Sequence, residues 1–466
     1  MSATGRGLRH AFRALKHRDF AFFWTGAFVS SIGMWMQNVT VPFLLHEATG
    51  SAAWVGLGAF AQFAPAMVVS PLGGSLADRH SRRTLLIWSQ AASMVMAFAL
   101  WLSVRGGSIR PGMIVVLVAI TGVVTGLGIP AWQSFVAELV PRESLLNAVT
   151  LNSAQFNASR AIGFMLGGLA LYTVGPGLSF FANGLSFLAV LGALAAIRTR
   201  RPSSAAVAAA AEAAGGLPEP PATFRLGLAY VRQHPGLQLA VFTVGVVMFL
   251  GGPVIQLAPV FARDTFGVDQ RAYGFLAAAL GIGATAGSVV IGAYGDGVRR
   301  STLAVASIVL YGLATLGMAV TPTYAGGVAA MFCIGVAYLA VASVLNTAIQ
   351  LAVDDRFRGR VIALYAMVFT GSYPLGSLLQ GLATDRFGVR VVVGLAGAAL
   401  LGYAALLVAR PSTVAVLDLE VSGSRALASS ADRPGTPSHP SGPPTRSPTR
   451  PAGTCGGVHH PCRPGR

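Results

Sequence analysis

Arg160 is the side chain with the most chemistry to explain. It stands about fourteen residues into an apolar run, 147–174, with Asn157 three residues before it and Ser153 seven before it. On a helix these three share one face. A guanidinium at that depth holds an anionic group or takes part in coupling, or else it is structural and pairs with helix-end carbonyls or a nearby acid. Gln37 and Asn38, next to Trp35, sit near the middle of the first apolar run, 20–45. Asn346, with Gln256 and Gln350, is placed similarly in the second half of the chain. Amides in such places line a polar interior or hydrogen-bond between helices.

A second group of charges is packed into GGSLADRHSRR, residues 73–83, between two apolar runs. Asp78 can cap a helix terminus or pair with a base. Arg79, Arg82 and Arg83 offer planar donors to carbonyls or carboxylates. Arginines at a membrane boundary can be plain topology anchors, but that role gives no reason for the acid. The stretch VIGAYGDGVRRSTLA repeats the arrangement with Asp296, Arg299 and Arg300.

The elements that must position these groups follow from composition. Of 466 residues, 54% are apolar and 11% charged, against roughly 25% charged in ordinary soluble domains. Runs of about 20 apolar residues recur, without the alternation of a strand, which reads as membrane-spanning helices. We count twelve: 20–45, 53–77, 84–104, 112–133, 147–174, 178–197, 237–262, 273–294, 302–320, 324–350, 361–383 and 389–409. The fold expected is therefore all-α and membrane-spanning. The first run is too long for a signal-peptide core and reads as an uncleaved helix. With three cysteines, Cys333 among them inside a helix, no disulfide framework is indicated. The net charge of +17 sits in the gaps between runs, so it reports topology rather than nucleic-acid binding. With the N-terminus inside, the inner segments before the tail hold 19 bases and the outer gaps 6. That excess places both termini and the central linker in the cytoplasm.

The organisation expected is a cytoplasmic or interfacial segment at 1–19, six helices over 20–197, a linker over 198–236, six helices over 237–409 and an unstructured tail over 410–466. LRHAFRALKHRDF alternates apolar and basic residues and reads as an interfacial helix or a cytoplasmic extension of the first span. The tail is rich in Pro, Ser, Thr, Gly and Arg. Its CGGVHHPC, 455–462, fits no common zinc spacing. The two six-helix sets look like copies of one another. Asp78 and Asp296 are 218 residues apart, and GFMLGG (163–168) finds its counterpart in SYPLGS (372–377). Parallel six-helix repeats are a transporter architecture whose cargo site lies at the midplane between the halves.

On these residues the chain resembles the major facilitator superfamily over about residues 10–409. GGSLADRHSRR is similar to its signature loop through Gly74, Asp78, Arg79, Arg82 and Arg83, with Ser81 in place of the second glycine. SIGMWMQNVTVPFLLHEATGSAAWVGL, NSAQFNASRAIGFMLGG and FRGRVIAL resemble one branch, that of the enterobactin exporter and related bacterial efflux proteins. The resemblance implies that the loop packs on the end of the eleventh span, holds the outward-facing state and biases a two-state equilibrium. It also implies secondary active export of a small amphipathic drug or siderophore-like molecule, with protons as a possible coupling ion. Gly163, Gly167 and Gly168 match an antiporter motif, whereas Phe164 replaces its proline.

No acid lies at mid-depth to carry a proton; Glu47, Glu138, Asp264 and Asp385 sit near span ends. No nucleotide-binding loop is present, so ATP is not used by this chain itself, and no cofactor is expected. Uptake or lipid translocation would use the same architecture. A membrane enzyme would need clustered His, Asp or Ser at one face, and the eight histidines are scattered. Partners are therefore a small-molecule cargo and membrane lipids, not nucleic acid.

Overall fold

The computed structural model describes residues 13–107, 109–197, 224–294 and 297–418. All of these fall in one compact unit. Lipid leaves backbone groups no outside partner, so each crossing segment closes its hydrogen bonds within itself. The first half contains α1 (Arg18–Thr49), α2 (Ala52–Arg79), α3 (Arg82–Arg105), α4 (Pro111–Glu138), α5 (Arg142–Thr173) and α6 (Pro176–Ala196). The second contains α7 (Pro235–Leu250, continued below), α8 (Gln270–Tyr294), α9 (Arg300–Val320), α10 (Tyr324–Ala352), α11 (Asp355–Phe387) and α12 (Val389–Val408). Eleven helices among the described residues are long and apolar enough to cross a membrane. The twelfth long helix is α5. Its 32 residues suffice in length, but Asn147, Asn152, Gln155, Asn157 and Arg160 make it polar.

The seventh span differs from the single helix expected over 237–262. It breaks at Gly251 and Gly252 and resumes as Pro253–Gln256, Ala258–Val260 and a π-turn, Phe261–Thr265. Pro253 has no N–H to continue the ladder. The two glycines lie against the rings of Tyr311 and Tyr373, at 2.8 and 2.5 Å from where a Cβ would stand.

The duplication is visible pair by pair. In the first half α2 packs on α4, α1 on α5, and α3 on α4 and α6; in the second, α8 packs on α10, α7 on α11, and α9 on α10 and α12. The halves meet along two related seams, α5 against α8 and α2 against α11. Each seam is crossed at a glycine. Gly56 sits on the Ser377 carbonyl and Gly274 on the Gly168 carbonyl, with no room for a Cβ at either. Gly56 and Gly274 are separated by the same 218 residues as the two loop aspartates, and Gly168 and Ser377 by the 209 that separate GFMLGG from SYPLGS. Small residues allow this approach where lipid supplies no hydrophobic drive between helices.

Where the sequence reads as an interfacial helix or an extension of the first span, Arg13–Lys16 is a 3₁₀ turn docked on α5, and α1 begins at Arg18. Ala14 is fully buried and its N–H donates to the Asn147 Oδ1 at 2.8 Å. Folded structure also runs past 410, as a short helix Pro411–Ala415 and a 3₁₀ turn Val416–Asp418. Val414 and Leu417 are buried there, which fixes the segment to the bundle. The linker over 198–223, residues 1–12 and the tail from 419 with CGGVHHPC lie outside the described residues. Phe224–Gln233 at the end of the linker is a helix. Its Tyr230 stacks on Phe357 at 4.2 Å and donates to Asp354 at 3.0 Å.

Candidate substrate site between the halves

Arg160 lies in the middle of α5 and is 8% exposed. Its Nη1 donates to the Tyr338 hydroxyl on α10 at 2.9 Å, a bond that crosses between halves. The guanidinium carbon lies 5.2 Å from the ring centre of Trp35, 5.6 Å from that of Phe156 and 5.3 Å from that of Tyr338. Aromatic faces within about 6 Å attract a cation electrostatically. The buried Trp35 indole N–H has no hydrogen-bond partner among the described residues. Trp35 also packs on Phe156 and Phe164, and Tyr338 on Phe369 of α11. The centre between the halves is thus one cation in an aromatic enclosure drawn from α1, α5, α10 and α11.

Other expected lining residues are placed elsewhere. Gln37 accepts from Asn183 Nδ2 on α6 at 2.8 Å, and Asn38 accepts from Gln62 on α2. Both are buried ties inside the first half and neither joins Arg160. Asn346 accepts from Gln350 of its own helix at 2.7 Å. Gln256 donates to the Tyr373 hydroxyl. Asn157 lies on α5 three residues before Arg160, but its side chain, like that of Ser153, lies outside the described residues. Sequence reasoning missed Tyr338, because a tyrosine in an apolar run carries no spacing signal.

The bonds seen for Arg82, Arg83 and Arg300 stay within their own half. Arg82 pairs with Glu138 at the end of α4. Arg83 donates from Nε to Leu194 O at 2.6 Å and from Nη2 to Ala195 O at 3.1 Å, closing the last turn of α6. Neither bond goes to α11, where the resemblance places the loop. Arg79 is exposed at the end of α2. A Cβ on Gly74 would meet open space, whereas the neighbouring Gly73 lies 2.6 Å from the Leu127 carbonyl by the same measure. The close approach belongs to Gly73, one residue before the motif glycine. The side chain of Asp78 and all of Asp296 lie outside the described residues. Arg299 is exposed before α9. Arg300 donates to the Asp418 carbonyl at 3.2 Å. The Asp418 carboxylate caps α9 by accepting from Ser301 N at 2.9 Å and Ser301 Oγ at 2.6 Å.

The far ends of the helices carry bonds that sequence reasoning did not anticipate. Asp385 at the end of α11 accepts from Ser51 Oγ at 2.5 Å, Ala52 N at 2.7 Å and Ala53 N at 3.3 Å, so it caps α2 of the other half. His46 on α1 lies 3.1 Å from Asp264 in the π-turn. Tyr273 donates to the Val39 carbonyl at 2.8 Å, and Gln270 to the Leu171 carbonyl at 2.7 Å. The sequence placed Asp264 and Asp385 near span ends; their partners are more than 200 residues away. GFMLGG packs tightly: Cβ positions on Gly163 and Gly167 would lie 2.7 Å from Ile32 O and 2.9 Å from Met36 Cα of α1.

Beside this repeated bundle, the wider comparisons fit one class. The transmembrane secretion effector family model matches residues 9–430. The chain belongs to that family of the major facilitator superfamily, a transporter and not an enzyme. It is similar to macrolide efflux protein A of Streptococcus pyogenes, 25% identical over 382 residues, which span 79% of this chain and 90% of the relative. It is also similar to the enterobactin exporter EntS of Shigella flexneri, 25% identical over 374 residues, 78% of this chain and 85% of the relative. The fold matches the crystal structure of the nucleoside transporter NupG with a TM-score of 0.63 and 13% identity, covering 86% of this chain and all of that one.

Proposed function

We propose that this protein is a secondary active exporter of small amphipathic molecules, drug-like or siderophore-like, working by alternating access in exchange for protons. The observation that carries the reading is the Arg160–Tyr338 bond between halves in the middle of the span bundle. It puts an expensive buried charge where a cargo would contact both halves. The relatives named as a macrolide efflux protein and an enterobactin exporter support outward direction. The excess of bases in alternate gaps supports cytoplasmic termini in the cell membrane. On that orientation the bonded helix ends are the outer ones, so the outer end is the one tied shut.

The loop with Gly74, Asp78, Arg79, Arg82 and Arg83, and its counterpart with Asp296, Arg299 and Arg300, would then lock the inner face in the opposite conformer. Asp78→Asn should cut export at least several-fold with unchanged membrane insertion. His46 and Asp264 face each other across the outer seam at 3.1 Å, one from each half.

The test is survival of a sensitive host against a panel of macrolides, other toxic compounds and siderophores, with and without a protonophore. Expression should protect against some of the panel, a protonophore should remove the protection, and Arg160→Ala should abolish it at equal protein level. No protection against any compound, with the protein inserted, would reject export.

A further inference from the structure

The charge of the central site separates cargo classes. Every Asp and Glu in the twelve spans lies within two residues of a helix end. Arg160 is the one acid or base in the spans more than five residues from an end. The middle of the protein therefore carries a single fixed positive charge and no fixed negative one. In a low-dielectric interior a second cation a few ångströms away is strongly repelled and an anion strongly attracted.

The hydrogen-bonding groups agree with the charge. The Arg160 guanidinium offers only donors. Beside it the half-buried Trp35 offers an indole N–H, also a donor only, which is itself buried and has no partner among the described residues. A buried donor without a partner costs free energy and calls for an explanation. The donors of α5 and α1 thus lie together among the rings of Trp35, Phe156 and Tyr338, whose centres are 5.2 to 5.6 Å from the guanidinium carbon. One acceptor that Arg160 has there is the Tyr338 hydroxyl oxygen, an oxygen on an aromatic ring.

Building on the export reading, the geometry points to an organic anion with a planar aromatic part as the cargo class. Its anionic oxygen takes the Arg160 and Trp35 donors, and its ring lies among the aromatic faces. The Tyr338 hydroxyl holds the anion's place on Arg160 while the site is empty of cargo. Loading then replaces the Arg160–Tyr338 bond, which joins α5 to α10, by bonds to the cargo.

Equilibrium binding to the full-length protein in nanodiscs tests this with two fluorescent probes, carboxyfluorescein as the aromatic anion and ethidium as the aromatic cation. Polarisation should show carboxyfluorescein bound at least about tenfold more tightly than ethidium. Arg160→Gln should weaken carboxyfluorescein about tenfold or more, the effect of losing a charge-assisted bond, and leave ethidium within about twofold. Trp35→Phe keeps a ring and removes the N–H; it should weaken the anion several-fold. Tyr338→Phe removes the competing oxygen and should leave anion binding equal or a few-fold tighter. The last two substitutions are conservative, so they decide the matter even if Arg160→Gln does not fold. Tighter binding of ethidium, no binding of carboxyfluorescein, or an equal loss of both probes in Tyr338→Phe would overturn the assignment. Export of cations by a protein that fails this test would leave the exporter reading intact. Arg160-dependent anion binding by a protein that protects no host would do the reverse.

Discussion

The two ends of the boundary between the halves are built differently. At the end bearing His46, Ser51, Asp264 and Asp385, polar groups find their partners in the other half. At the opposite end the named bonds stay at home. Arg82 and Arg83 serve α4 and α6, Tyr230 serves the start of α11, and Asp418 serves α9. Burying a polar group without a partner costs about 1–3 kcal/mol. Groups satisfied inside one half cost nothing when the halves part. The first end therefore resists separation, while the second parts without losing these bonds. Under the alternating access proposed above, this difference would let each half move as a rigid body and would concentrate the work of switching at one end.

Three substitutions would break or sharpen this contrast. The largest effect is expected from Gly168→Val. A side chain there has no room against the Gly274 carbonyl, and overpacking costs about 1–3 kcal/mol or more. It should wedge the α5–α8 seam apart. In a variant lacking native cysteines, Ser377→Cys, buried in the related seam, should become reactive to an impermeant maleimide from outside. Unchanged reactivity would show that the glycine crossings do not set the closed end.

A smaller effect is expected from Asp385→Ala, which uncaps α2. Loss of a cap costs about 0.5–2 kcal/mol, so the closed population should fall several-fold by the same maleimide assay, with little loss of thermal stability. A drop in melting temperature with no change in labelling would make Asp385 a mere stability cap.

The smallest change in labelling is expected from Arg83→Ala. It removes two bonds inside the first half and should lower thermal stability by about 1 kcal/mol while leaving outer labelling as in the parent. Increased labelling would erase the distinction between the two ends.

How much of this could be read from sequence depended on the range of the interaction. Twelve apolar runs and the repeat of Asp78 in Asp296 gave the architecture, because bilayer thickness and helix rise leave few alternatives. Arg160 stood out because a charge in the middle of an apolar run is expensive wherever it points. Its enclosure did not, since Trp35 and Tyr338 are 125 and 178 residues away and an aromatic residue in a lipid-spanning run is unremarkable. Gln37 and Asn38 drew attention for the same reason as Arg160, yet they hydrogen-bond to α6 and α2, the commoner use of an amide in a bundle. The break in α7 was present in Gly251-Gly252-Pro253, but hydropathy averages over such punctuation. The Asp385 cap joins residues 333 apart, and nothing local marks an acid at a helix end as the cap of a different helix.

The most direct test is a pair of spin-label distances measured on one protein by double electron–electron resonance. One pair, Glu47→Cys with Arg263→Cys, flanks the bonded end beside His46 and Asp264. The other, Ser75→Cys with Arg299→Cys, reports the end bearing the charged loops. In the parent the first pair should give a single short distance. Introducing Gly168→Val should lengthen the first distance and shorten the second, because rigid halves that part at one end close at the other. Lengthening of both, or movement of one with the other fixed, would contradict two rigid six-helix halves rocking about Arg160.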